Sequence, residues 1–499
     1  MTSSAIRAPS LSQPGLRGVR GDARSGGGRS ATPRQRDRAA APPRTGELVS
    51  GEHRVRRHRR RADDFAGNKL VVAMLFWAML ATSVAVWVFD TAPGSIASEA
   101  DIMIAAGRVT GMVGGFLLIA QVVFASRLAW LEEAVGGRVL MRWHRWIGTS
   151  LLVMLVAHGL LLVYGYALQA RQPLLAQLRG LLAVPDMLQA VIATGILVVV
   201  GLLAVRGIRR RLPYEIWHGL HLATYGVLVL AYGHQFTAGA NLNDGFGYLY
   251  WSGLYAVALA ALVWGRVVDP LWFNLRHKLR VGEVVAESPA MFSIYLTGRR
   301  LDRIAAKPGQ YFRWRFLNAD GWWQSHPFSL SAAPHGRWLR LTVAAVGDHT
   351  RALREVRVGT RVLADGPSGV FTAERRVRNK SLMIAVGSGI SPVRALLEDM
   401  PSDTVLLYRA RTQSDLALRG EIDAIAAERG MRVRYVVGRR NDRGPRELAS
   451  TAGLDRLVPD VHERDVYLCG PPGFVTLTVD NLLRLGVPRD QIHLDPFEL

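Results

Sequence analysis

The chain has 499 residues, a formal net charge of +22, 49% hydrophobic residues and a mean hydropathy of +0.13. That length calls for two or three domains, and the lone Cys469 excludes an intrachain disulfide. The apolar residues gather into six long windows, which excludes a wholly soluble protein.

Residues 1–65 read as a disordered basic cytoplasmic tail. Within 1–64 there are 15 Arg and 6 acids, a surplus of +9, among Gly, Pro, Ser and Ala without an apolar period. No apolar leader core precedes Leu70, so a cleaved signal is not expected. The run Arg54–Arg61 resembles a nucleic-acid tract. Just ahead of a membrane span, however, it reads as an anchor to anionic lipid, and no nucleic-acid partner is expected.

Residues 66–270 read as a six-helix membrane domain. The windows run Leu70–Phe89, Val109–Ser126, Trp146–Ala170, Met187–Val205, Ile216–Phe236 and Phe246–Trp264, and none contains Asp, Glu, Lys or Arg. Arg127, Arg138, Arg142 and Arg145 lie between the second and third windows, and Arg206, Arg209, Arg210 and Arg211 between the fourth and fifth. Arg266, Arg276, Lys278 and Arg280 follow the sixth. The positive-inside rule then predicts a multi-pass cell-membrane protein with both termini cytoplasmic.

Four histidines stand at this domain's chemistry: His144, His158, His221 and His234, spaced 14 and 13 residues within each pair. Ionisable side chains inside a bilayer are costly and read as functional. The third and fifth windows run parallel, so His144 and His221 fall near the cytoplasmic face and His158 and His234 near the outer one. Neutral imidazole is an axial ligand of haem iron, and a bis-histidine haem suits electron transfer. At roughly 100° per residue, fourteen residues return His158 to within about 40° of His144. Thirteen residues leave His234 about 140° from His221, which asks for a kink or π-bulge near Gly226 or Gly233. His218, one turn from His221, is a rival ligand, and periodicity does not choose between them. Arg108 and Arg127 flank the second window, where guanidinium groups could meet haem propionates.

From residue 277 the pattern changes. Short β-rich runs to residue 376 predict an antiparallel β-barrel domain, and strand–turn–helix repeats over 380–499 predict a parallel α/β nucleotide-binding domain. The turn GSGISP, Gly387–Pro392, follows a buried strand and opens a helix, a place where backbone can approach a pyrophosphate. Arg409, Arg411, Arg439 and Arg440 end the next two strands, and no acid ends the YRAR strand to hold a bare ribose hydroxyl. These favour NADPH over NADH.

The segments GRVTGMVGGFLLIAQVVFASRL, RWHRWIGTSLLVMLVAH and YEIWHGLHLATYGVLVLAYGH resemble the ferric reductase and NADPH oxidase transmembrane family. The motifs HPFSLS, GDHT, GPSGVF, LCGPPGF and the terminal DPFEL resemble a ferredoxin–NADP reductase type of FAD/NAD(P) module fused to it. The resemblance covers about residues 100–499 and implies two b-type haems on His144, His158, His221 and His234, preferring His221 to His218. It implies FAD contacts from His326, Pro327, Phe328 and Ser329, with Gly347 and Thr350 facing the pyrophosphate. Gly387, Gly389 and Pro392 match the nicotinamide-dinucleotide turn; Arg409 and Arg411, at the end of the next strand, are expected cofactor contacts by their charge and place alone. Cys469 matches the catalytic position beside the nicotinamide, with Gly470 and Pro471, although a free cysteine is equally a small buried residue. Phe497 matches the aromatic that covers the flavin, with two residues after it. His326 stands where the reductase pattern has Arg, as in the oxidase branch.

The resemblance implies that NAD(P)H reduces FAD, which passes single electrons through the inner and then the outer haem to an extracytoplasmic acceptor. Ferric chelates and oxygen are the expected acceptors. An electron-supplying membrane subunit for a quinone or protein partner is the alternative. No Ser/His/Asp triad or catalytic carboxylate pair is present.

Overall fold

The computed structural model describes residues 51–496 except 240, 241, 243 and 319–322. The tail through residue 50, and Phe497 with it, lie outside the described residues. Helix α1 spans Gly51–Asp90, so the backbone of the basic run Arg54–Arg61 is helical, where the sequence suggested irregular tail to residue 65.

The next helices are α2 (Glu99–Ala125), α3 (Ala129–Val135) and α4 (Gly137–Ala170). Ser98 starts α2 with a capping box: its hydroxyl accepts from Asp101 N at 3.2 Å, and Ser98 N donates to the Asp101 carboxylate at 3.0 Å. Glycines let α2 and α4 approach closely. A Cβ built on Gly107 would lie 2.7 Å from Leu162 Cδ2, and one on Gly165 would lie 2.8 Å from Ile104 Cγ1. Small residues at the contact are the usual way apolar helices pack inside a membrane.

Helices α5 (Leu174–Leu182) and α6 (Met187–Leu203) are bent by 110° to one another, and Asp186 at the bend has φ +61°. After the short α7 (Arg206–Arg209), the fifth predicted window is divided into α8 (Tyr214–Leu222) and α9 (Thr224–Thr237). The break at Ala223 has a local cause. Thr224 Oγ1 donates to His221 O at 2.6 Å, and Gly226 N donates to Ala223 O at 2.9 Å. The break lies between His221 and His234, where a straight helix would turn the two to different faces.

Helix α10 (Gly245–Val263) continues through a π-turn at Trp264–Val268 into α11 (Asp269–His277). At the π-turn, Gly265 passes so near α2 that a Cβ would lie 2.1 Å from Ser126 O, and Arg266 Nη2 donates to Ala125 O at 2.6 Å. Among the described residues four helices are long and apolar enough to cross a membrane: Gly67–Asp90, Glu99–Ala125, Gly137–Ala170 and Gly245–His277. The α5–α6 pair raises that to five, against six expected from the windows. The difference comes from the division at Ala223 and from the 17-residue length of α6.

The strands β1 (Arg280–Ser288), β2 (Met291–Thr297), β3 (Tyr311–Phe316), β4 (His326–Ser329), β5 (Leu339–Ala344) and β6 (Val362–Ser368) form two antiparallel sheets, β1-β2-β5 and β4-β3-β6. They share a core of Ile294, Leu296, Phe312, Trp314, Leu330 and Leu341. Among the described residues no continuous ladder joins the two sheets: isolated bridges, Arg280–Arg361 and Leu330–Leu341, and hydrogen bonds such as Val362 N to Leu279 O link them, so the expected barrel is not closed. β4 is four residues long, too short to carry a continuous ladder into β5. Helix α12 (Asp348–Ala352) follows β5.

The α/β domain has the expected parallel sheet, in the order β11-β10-β7-β8-β9. Its strands are β7 (Lys380–Val386), β8 (Thr404–Ala410), β9 (Arg432–Val437), β10 (Arg464–Gly470) and β11 (Ile492–Pro496). Helices α13 (Ile390–Leu397), α14 (Arg419–Arg429), α15 (Arg443–Leu448), α16 (Thr451–Leu457) and α17 (Pro472–Arg484) connect them.

Candidate functional site

One cavity of 2410 Å³ begins among the membrane helices and ends in the α/β domain. His144 and His221 line its membrane end, and Pro392 and Pro471 its far end. Tyr311, His326–Ser329, Gly347 and Thr350 lie between them. Residues from three separate motifs, hundreds of positions apart, therefore open on one space.

At the membrane end the His144 and His221 rings are 5.9 Å apart at 76°. Nδ1 of each is buried without a hydrogen-bond partner. Gln121 Nε2 donates to the His144 carbonyl at 2.8 Å, which ties this turn of α4 to α2. Trp217, one turn before His221, stacks on its ring at 4.9 Å and 10°. His218 also lines the cavity, but it is exposed.

His158 and His234 sit differently. His158 Nδ1 is 2.8 Å from Gly107 O on α2, and a Cβ on Gly111 would lie 2.4 Å from the same nitrogen. The imidazole thus occupies a notch that only glycine leaves open. His234, on α9, has a buried Nδ1 without a partner, and neighbouring Gly233 packs on the Asp186 carboxylate.

In the central part, β4 pairs with β3 in the register Trp314–His326, Phe312–Phe328 and Tyr311–Ser329. Trp314 Nε1 donates to Phe328 O at 2.9 Å. His326 stacks on His349 at 3.8 Å and 22°, and Nε2 of both rings is buried without a partner. Burial, with the His349 ring second, lowers the His326 pKa to about 4, so the ring is neutral near pH 7. Gly347 N donates to Thr350 Oγ1 at 3.0 Å, which closes the GDHT turn on itself. Ser329 Oγ donates to Asp495 Oδ2 at 3.4 Å, and Ser391 Oγ donates to Ser329 O at 3.5 Å.

The nucleotide turn is a 3₁₀ turn, Gly387–Gly389, with Gly387 at φ +56°. A Cβ on Gly389 would lie 2.3 Å from Cys469 O, so the LCGPPG segment requires glycine there. Cys469 is fully buried, and its Sγ donates to Asp495 O at 2.9 Å. Burial pushes the thiol pKa up, so it stays protonated. Gly470 lies beside Val386 on the neighbouring strand. A second cavity, of 710 Å³, is lined by Gly387, Arg409, Arg411, Arg439 and Arg440. The buried Nε of Arg409 has no partner, and burial with neighbouring Arg440 lowers its pKa.

Sequence reasoning passed over several residues here. His349 lies inside a quoted motif, and Asp495 lies in the quoted C-terminus, but nothing in their spacing announces the His326 stack or the Ser329 contact. Arg127, expected near a cofactor carboxylate, is ion-paired with Asp365 of β6. Asn274 of α11 was unmarked. Its Nδ2 donates to Ala364 O at 2.8 Å, and Ala364 N donates back to its Oδ1 at 2.9 Å.

Comparison with known proteins fits this layout. Residues 110–232 match the model of a ferric reductase like transmembrane component, residues 291–372 an FAD-binding domain, and residues 383–480 an oxidoreductase NAD-binding domain. Together they describe an apolar, membrane-type helical region followed by FAD-binding and oxidoreductase NAD-binding domains. The chain is thus similar, segment by segment, to ferric reductase-like transmembrane components and to FAD- and NAD-binding oxidoreductase domains.

A flavohemoprotein of Chromobacterium violaceum is 30% identical over 272 residues, 49% of this chain and 64% of that protein. The ferredoxin reductase component of a Mycolicibacterium smegmatis 3-ketosteroid-9-alpha-monooxygenase is 29% identical, over 44% of this chain and 65% of that protein. The chain thus spans less than two thirds of either relative. A solved flavohem-like FAD/NAD-binding domain of nitric oxide dioxygenase from Vibrio cholerae O1 biovar El Tor matches with a TM-score of 0.38. The identity is 25%, over 44% of this chain and 99% of that one.

Proposed function

We propose that the protein carries electrons from cytoplasmic NAD(P)H, by way of FAD and two b-type haems, to an acceptor on the far side of the cell membrane. The observation that carries this reading is the single cavity joining His144 and His221 to the flavin and nucleotide motifs. In this reading the membrane domain has six spans, with α8 and α9 together forming the fifth, and both termini are cytoplasmic.

The residues fit the groups. His144 and His221 stand 5.9 Å apart, ring to ring, and open on one cavity, so the two imidazoles would be placed to hold one iron between them. His158 and His234 would be the outer pair, and the Gly107 carbonyl, accepting from His158 Nδ1–H, would leave Nε2 of that ring free to hold the iron. Bound FAD supplies two-electron acceptance with one-electron release, and bis-histidine haem supplies one-electron carriage.

The chain's own residues do the rest. His326, Pro327, Phe328 and Ser329 seat the isoalloxazine, and Gly347 and Thr350 face the pyrophosphate. Gly387, Gly389 and Pro392, with Gly470 and Pro471, hold the dinucleotide. Neutral Cys469 anchors β11 through Asp495; Phe497, the aromatic assigned to cover the flavin, lies outside the described residues. Arg409 and Arg411 with their neighbours make a cationic cavity suited to a 2′-phosphate, so NADPH is the coenzyme. The acceptor is a ferric chelate or oxygen.

The first test is the purified protein's reduced-minus-oxidised spectrum, expected to show b-type haem at two per flavin. Its absence would defeat the haem assignment. NADPH oxidation with oxygen, ferric citrate and a quinone analogue then sorts the acceptors. A rate unchanged by removing oxygen excludes superoxide production. Arg409→Ala is expected to raise KM for NADPH about tenfold, which corresponds to about 1.4 kcal/mol, and to leave NADH unaffected. Equal losses with both coenzymes would remove the 2′-phosphate assignment.

A further inference from the structure

The inner histidine pair has a neighbour that neither electron carriage nor coenzyme binding uses. Trp217 lies parallel to His221, 4.9 Å away at 10°, and Arg209 places its guanidinium carbon 4.6 Å from the centre of the same indole. Arg209 Nη1 also donates to Leu212 O at 3.4 Å, across the turn between α7 and α8. Among the described residues the buried Trp217 Nε1 donor has no hydrogen-bond partner, and Trp217 lines the cavity that His144 and His221 also line. A buried indole N–H usually finds an acceptor.

We propose that Trp217, clamped by Arg209, is a positioning residue of the inner site: its ring fixes the plane of the His221 imidazole, and its N–H is reserved for a carboxylate of the ligand seated there. The inference rests on the reading of His144 and His221 as haem ligands and adds to it a device that orients one of them. Its physical logic has three parts. A parallel aromatic neighbour blocks rotation of the His221 ring about its last side-chain bond, and the orientation of an imidazole that would hold a metal tunes that metal's electronic state. The Arg209 cation is drawn to the indole face, and its positive charge favours the electron-rich state of whatever lies against that stack. The N–H then offers the acceptor-only carboxylate a donor already free of water. His158 has no such partner among the described contacts; a backbone carbonyl holds it instead.

Three variants of the full chain in detergent separate these parts. Trp217→Phe keeps an aromatic face and removes the donor. It is expected to leave the low-spin haem EPR signals in place and to speed haem loss to an apomyoglobin trap several-fold. Trp217→Leu removes both, and is expected to shift or broaden the inner-haem signal only. Arg209→Met is expected to move the inner midpoint potential to more negative values and leave the outer one unchanged. If Trp217→Leu gives spectra and haem-loss rates identical to the parent, or if Trp217→Phe fails to restore the EPR signal that Trp217→Leu alters, the positioning role is overturned. A parent protein without bis-histidine haem, or one whose haem survives His144→Ala and His221→Ala, instead overturns the ligand assignment itself.

Discussion

The inner and outer histidine pairs share a residue type and differ in what holds them. His144 and His221 open on a 2410 Å³ cavity shared with the strand-built domains, and side chains (Gln121, Trp217) support them. His158 is held by backbone: the Gly107 carbonyl accepts its Nδ1–H, and the Cβ-free face of Gly111 receives its ring. The inner site is therefore assembled where domains meet, whereas the outer one is set by how α2 packs on α4. A backbone-set site tolerates no added bulk and a side-chain-set site is adjustable.

The largest effect should come from filling the outer notch. In Gly111→Val a Cβ 2.4 Å from His158 Nδ1 must displace the imidazole, since real side chains do not approach so closely. We expect haem per flavin to fall by half, with the outer signal lost and the inner one kept. Gly159→Ala, adjacent to His158 but with nothing within 4 Å of the new Cβ, is the control and should stay within about 0.5 kcal/mol of the parent. Retention of both haems in Gly111→Val would erase the contrast between the pairs.

Much of this arrangement was legible in the sequence, because hydrophobic windows and Gly-rich turns are local signals. The parallel sheet of the α/β domain and the motifs His326–Ser329 and Gly387–Gly389 were of that kind. The division of the fifth window was half legible: the 13-residue spacing of His221 and His234 demanded a break, but the Thr224 hydroxyl that places it at Ala223 was not foreseen. Long-range pairings carried no signal at all. His349 on His326, Asp495 on Ser329 and Cys469, and Asn274 on Ala364 each depend on how distant elements dock, and no residue spacing encodes that.

Docking is where the inner pair should be the more vulnerable. Asn274 acts as a short piece of strand against β6, and its two hydrogen bonds help hold the flavin module at the membrane end of α11. Asn274→Ala leaves the Ala364 N–H and C=O without these partners, at a cost of about 1–3 kcal/mol per buried group. The expected result in stopped flow is unchanged flavin reduction by NADPH and a roughly tenfold slower appearance of reduced inner haem, taking about 1.4 kcal/mol per tenfold. The outer haem should keep its spectrum. If flavin reduction slows by the same factor, Asn274 supports the fold of the module and not its docking.

The smallest effect is one of pH, and it separates the open cavity from the closed notch. His326, stacked at 3.8 Å on His349, has its pKa lowered from an ordinary 6.5 to about 4. Unfolded chain binds a proton here below about pH 6.5, but the folded protein resists it until about pH 4. The stabilising contribution is therefore complete above pH 6.5 and is lost as acidification proceeds toward 4. Melting followed by flavin fluorescence should fall by about 4 °C or less per kcal/mol lost across that window. His326→Gln should flatten the profile, because an amide has no proton to gain. The outer haem spectrum, whose His158 nitrogen is already committed to Gly107 O, should not change over the same range. Parallel acid profiles for the parent and His326→Gln would show that the stacked imidazoles are not what acid reaches, and would move the sensitivity to another group lining the cavity.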